Sequence, residues 1–162
     1  TQHLIDTCED RGDALAIIDL EGDFKPAAES TDTFKTRVDN ATVTTTVNTL
    51  KDRSIDSSYA AAYFPWVQIL DPIADRLVYT PPSVVALGTI SNSENKSELW
   101  FAPAGFNRGG LTSGAAGVPV VGITQKLTSK QRDTLYEANI NPIASYCSVR
   151  SKDTSNNTFS IG

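Results

Sequence analysis

Residues 14–19, Ala-Leu-Ala-Ile-Ile-Asp, form an unbroken apolar run of strand length. A half-exposed strand alternates apolar and polar positions. A run without alternation needs cover on both faces, which is the situation of a parallel sheet flanked by helices. Two more strands follow, at residues 59–66, rich in small and aromatic side chains, and at residues 118–124. Stretches with apolar residues at helical spacing lie between them. This alternation predicts an α/β fold: a three-layer sandwich on a mostly parallel mixed sheet, antiparallel at its C-terminal edge, in a single domain over residues 1–162.

Leu4, Ile5 and Cys8 make a short helical stripe closed by Arg11 and Gly12, a basic last turn followed by glycine. Residues 21–30 read as a polar loop and residues 31–53 as a helix carrying Phe34, Val38, Ala41 and Leu50. Its many Thr and Val side chains lower helix propensity. Asp71 and Pro72 start a turn, and residues 77–79 return from it as a short strand. Thr80 is the expected N-cap of the next helix with Pro81 in first place, where a missing amide hydrogen costs nothing; Val84, Val85, Leu87 and Ile90 carry that helix to about Asn95. Residues 102–117 form a loop holding five glycines. Thr128 or Ser129 caps a helix running to about Ala138, residues 143–149 are a further strand, and residues 153–157 a hairpin turn.

The length of 162 residues suits one ordinary domain. A net charge of −5 without clustered Lys and Arg argues against direct contact with nucleic acid; the nearest approach to a cluster, residues 126–132, is interrupted by polar spacers. No apolar run reaches the roughly 18 residues of a membrane span, and no signal peptide is visible. Cys8 and Cys147 have neither metal-ligand nor redox spacing; they read as two buried thiols, with a bridge left open. The chain starts at Thr1, contains no Met, begins within a helical pattern and stops at residues 159–162 as a strand starts. A fragment of a longer polypeptide is the expectation.

Asp19 ends the first strand, and carboxylates at the carboxyl ends of parallel strands are common active-site groups. Two enzymatic readings start there. A serine-protease acid would need a histidine and a serine after it in chain order. The one histidine, His3, comes before it, so no downstream residue can take a serine proton. Asp19-Leu20-Glu21 also has the form of a two-carboxylate Mg²⁺ motif of a nuclease or hydrolase, which Asp32, Asp39, Asp71 or Asp75 would have to complete. That pair is common by chance, and the bland alternative, a strand end entering a solvated loop, is favoured. The glycine-rich stretch has neither phosphate-loop spacing nor a dinucleotide turn. Tyr63, Phe64 and Trp66 read as core beside Ala60, Ala61 and Ala62.

Five segments in order resemble the core domain of contractile tail sheath proteins of long-tailed bacteriophages. They are residues 13–19; Ser57-Ser-Tyr-Ala-Ala-Ala-Tyr-Phe-Pro-Trp66; Pro81-Pro-Ser83 with Ala86 and Gly88; Ala102-Pro-Ala-Gly105 with Asn107; and Asn139-Ile-Asn-Pro-Ile143. Asn139 stands where the family often has glycine, a replacement asparagine permits because it tolerates the left-handed conformation. The Thr-rich stretch is longer than in the family, and the family's later C-terminal segment does not appear.

The resemblance implies a subtilisin-like arrangement without a catalytic triad, no enzymatic activity and no cofactor or metal. It implies a structural subunit whose partners are other sheath subunits in hexameric, helically stacked rings, the tail tube protein and the baseplate. The sheath would be a virion component assembled in the host cytoplasm, contracting to drive the tube through the envelope for genome ejection. The sheath of a contractile bacteriocin or secretion machine is the related alternative. Expected inter-subunit contacts are Arg108, Lys126, Lys130 and Arg132 against Asp71, Asp75, Glu94 or Glu98 of neighbours, since opposed charges set register.

Overall fold

The computed structural model describes residues 1–20, 40–73, 75–112, 117–147 and 157–161. The polar loop at residues 21–30, the first part of the 31–53 helix and the turn at 153–156 lie outside them.

Helix α1 (Gln2–Arg11) buries Ile5 and Cys8 and ends at Gly12, whose φ of 70° lets its N–H donate back to the Cys8 carbonyl at 2.9 Å. Strand β1 (Ala16–Asp19) follows. Helix α2 (Asn40–Asp52) leads to β2 (Ala60–Phe64), which pairs parallel with β1 from Ala16↔Ala60 to Asp19↔Tyr63. The row of alanines is what lets helices approach both faces of the strand: Ala60 and Ala62 look to one core, Ala61 to the other.

The expected second strand, residues 59–66, does not run through. The chain breaks at Pro65, which follows a cis peptide bond, and resumes as β3 (Val67–Asp71) in a different sheet. There β4 (Arg76–Thr80) and β5 (Val120–Ile123) flank β3, both antiparallel. The expectation that residues 118–124 join the parallel sheet is therefore corrected. At Pro65 the chain leaves the main sheet, and β3 beyond it offers residues 120–123 an edge to pair with.

Helix α3 (Pro82–Lys96) begins one residue later than expected, with Pro81 rather than Thr80 in the cap position. Its buried side is Pro82, Val85, Ala86, Thr89 and Ser93. The short helix α4 (Gly105–Arg108) interrupts the glycine-rich loop. Helix α5 (Ser129–Glu137) starts in a full capping box: Thr128 accepts from the Gln131 N–H, and the Gln131 side chain accepts from the Thr128 N–H. Asn139 takes φ 56°, the left-handed conformation that ends the helix and turns the chain into β6 (Ile140–Cys147). That strand starts three residues before the expected position and pairs parallel with β2 and antiparallel with β7 (Asn157–Ile161).

The main sheet thus has the order β1-β2-β6-β7, parallel except for β7, and the second is β4-β3-β5. The mixed α/β class and the antiparallel C-terminal edge agree with the sequence. One core fills the space between the main sheet and α1, α2 and α5, with Ile5, Ile18, Val47, Phe64 and Leu135 in it. The other lies between the opposite face, α3 and the second sheet, with Tyr63, Val85, Val120, Ile143 and Phe159.

Residues 109–112 tie the sheets together. The Ile161 N–H donates to Gly109 O (2.9 Å), Leu111 N–H to Phe159 O (2.8 Å) and Val120 N–H to Leu111 O (3.1 Å). This strap therefore bonds to β7 on one side and β5 on the other, with Leu111 fully buried beneath it. Gly109 is required there: a Cβ would lie 2.9 Å from both Ile161 O and Ala104 Cα.

Candidate assembly surface

The one carboxylate that sequence singled out for chemistry has a structural use. Asp19 Oδ1 accepts from the Ser83 N–H at 3.0 Å, and Oδ2 accepts from Ser83 Oγ at 2.7 Å. Ser83 is the second residue of α3, whose cap residue Pro81 supplies no side-chain acceptor. The first four N–H groups of a helix have no partner within it, and that end carries partial positive charge. The carboxylate at the end of β1 answers both needs across 64 residues of chain. Both of its oxygens are engaged with Ser83.

Glu21, Asp32 and Asp39 lie outside the described residues. Asp71 Oδ1 accepts from the Ile73 N–H at 2.9 Å and shapes the β3–β4 hairpin, where Asp75 sits with φ 46°. Among the described residues, no group of three or more His, Cys, Asp and Glu side chains is placed to hold a metal ion, and no helix is long and apolar enough to cross a membrane. His3 is exposed on α1, and Cys8 is a buried free thiol. Burial also pushes the Tyr63 phenol above its ordinary range.

The charged contact candidates fall in three places. Lys126 and Lys130 are exposed before and within the first turn of α5, where Arg132 reaches Ser129 Oγ at 3.2 Å. Glu94 and Glu98 are exposed at and just past the end of α3, on the other side of the main sheet. Asp71 and Asp75 mark the hairpin. Arg108 has an internal role: its guanidinium lies 4.0 Å from the Phe101 ring centroid, and its Nε donates to Ser97 Oγ at 3.3 Å. It braces residues 97–101 against the end of α3.

Sequence reasoning missed the exposed apolar side chains. Val84 and Leu87, expected to anchor α3, point outward, and the small residues Ala86, Thr89 and Ser93 meet the sheet instead. Leu99 and Trp100 are 80% and 76% exposed. On the second sheet Leu70 and Leu77, directly opposed across strands, are exposed too. A hollow of about 250 Å³ between α2 and α5 is lined by Val43, Thr44, Thr128, Lys130, Gln131 and Thr134. Apolar outward positions beside segregated charge have the composition of contact surfaces.

This mixed α/β scaffold commits its strand-end acid to a helix start. The chain is 30% identical over 90 residues, 56% of its length, to the tail sheath protein of Enterobacteria phage T4. It is 30% identical over 109 residues, 67% of its length, to the tail sheath protein of Vibrio phage KVP40. These stretches cover 13% and 14% of those proteins, so the chain spans about one seventh of the curated relatives it matches. No protein-family model matches the chain. The likeness to phage tail sheath proteins drawn from its motifs is thus met by direct similarity to two of them.

Proposed function

We propose that the chain is structural material of a contractile phage tail sheath. Its copies surround a tail tube, stack as helically offset rings and shift between two discrete packings when the baseplate releases them. In this reading the core keeps the subtilisin-like arrangement of the family, has no catalytic role, and reaches the virion after assembly in the host cytoplasm. Head-to-tail contacts that do not close on themselves produce such open arrays. The similarity over 109 residues to a named tail sheath protein carries the proposal. The engagement of both Asp19 oxygens with Ser83 supports it against a hydrolase centred on Asp19 and Glu21.

Electron microscopy of the full-length protein expressed alone tests this directly. Long hollow helical tubes are expected. A protein that stays monomeric at all concentrations while consuming a substrate would end the proposal.

A further inference from the structure

Two helices of this chain carry charge that their own dipoles disfavour. The last turns of α3 and the residues just after it hold Glu94 and Glu98, at the end where the partial charge is already negative; Lys96 is the one basic residue there. The first turn of α5 holds Lys130 and Arg132, with Lys126 just before it and no acidic residue, at the end where the partial charge is positive. Each arrangement is unfavourable in an isolated helix. Proteins break local helix rules of this kind at sites that serve a function.

Shape matches charge. Leu87 and Glu94 are seven residues apart, two helical turns, so they lie on one outward stripe of α3 with Val84 close by. Val43, Thr44, Thr134 and Lys130 are among the residues that line the hollow between α2 and α5.

We propose that the outward stripe of α3 in one copy docks antiparallel into the α2–α5 groove of a second copy, Leu87 entering the hollow while Glu94 and Glu98 meet Lys130 and Lys126. The occupant is a second copy because the anionic stripe and the cationic groove are complementary and both belong to this chain. They cannot meet within one copy, since α3 and α5 pack on opposite faces of the main sheet. Antiparallel docking sets the negative end of α3 beside the positive end of α5, so both misplaced sets of charge are relieved by one contact. Such a contact is heterologous: each copy keeps one unused half, and repetition gives an array rather than a closed dimer. This inference rests on the assembly reading above and names its surface.

A charge-reversal cycle in the full-length protein tests it, with sedimentation measuring the concentration at which polymer forms. Glu94→Lys and Lys130→Glu singly are expected to raise that concentration by about tenfold, and the two together to bring it back to within about threefold of the unmodified protein. Independently, Leu87→Cys with Thr134→Cys is expected to give an oxidative ladder of dimers, trimers and longer species that needs both introduced cysteines. Single reversals that polymerise normally overturn the proposal. So does a double reversal no better than either single, or a cysteine pair that gives no ladder in polymer that has formed. Unmodified protein that never polymerises instead removes the assembly reading itself.

Discussion

Replacing Asp19 separates a helix cap from a catalytic acid. Asp19→Ala removes the acceptor of the Ser83 N–H and of Ser83 Oγ together. Loss of a capping acceptor costs about 1 kcal/mol, and its being charged and part-buried roughly doubles that, so about 2 kcal/mol is expected. For a chain of this size each kcal/mol moves the melting temperature by about 2–4 °C, giving a fall of about 4–8 °C. Asp19→Asn keeps an acceptor for the N–H and a donor for Oγ while discarding the charge at the helix start, so about 0.5–1 kcal/mol is expected. Ser83→Ala should lose a similar amount, and combined with Asp19→Ala it should add little to the acid's loss, because the hydroxyl then has no partner. Thermal unfolding followed by circular dichroism reads all four proteins. An Asp19→Ala protein as stable as the original would refute the cap, and so would an Asp19→Asn protein as damaged as Asp19→Ala.

Two further substitutions probe the links within the fold. Gly109→Ala places a methyl group 2.9 Å from two backbone atoms, so the strap must shift, at a cost of about 1–3 kcal/mol in urea unfolding; unchanged stability would mean that residues 109–112 are not held between β7 and β5. Tyr63 has its phenol pushed up by burial from an ordinary value of about 10. Its contribution is intact below that value and is lost as pH climbs through the folded value, because the unfolded chain ionises first. Tyr63→Phe should therefore flatten the alkaline fall in stability above about pH 10 relative to the original protein, and parallel urea-midpoint profiles for the two would contradict this.

The parts of the fold set by local chemistry were legible in the sequence. Gly12 ending α1, Thr128 with Gln131 opening α5 and Asn139 accepting a left-handed turn each follow from one residue and its neighbours. The β1–β2 pairing followed from apolar runs that need cover on both faces. Long-range choices were not legible. An apolar strand such as residues 120–123 has the same look in either sheet, and its place is decided by Leu111 and Ile69, distant in sequence. The α3 face was misassigned for a related reason. Hydropathy gives Val84 and Leu87 to the core, but the helix buries the stripe Pro82, Val85, Ala86, Thr89 and Ser93, which leaves both on its outer side. Of the charged contact candidates, Lys126, Lys130, Asp75, Glu94 and Glu98 are exposed and Asp71 and Arg132 half-buried, while Arg108 stacks on Phe101 through a loop conformation that spacing does not reveal.

Asp19 also ties layers of the scaffold together. In open parallel sheets the crevice beyond the carboxyl ends of the strands is where ligands bind. Here that end of β1 receives the start of α3, and the carboxylate that could face a ligand faces Ser83 instead. Freeing it would strand an amide at the helix start, at a cost in stability. The same bond joins the main sheet to the layer containing α3, as the strap joins β7 to β5 in the second sheet. Both ties cross between elements that regular ladders leave separate, and a block tied in this way passes a push on one outer face to the other with little internal give. The outer faces of that block carry the α3 stripe and the α2–α5 groove, the surfaces proposed above to meet between copies.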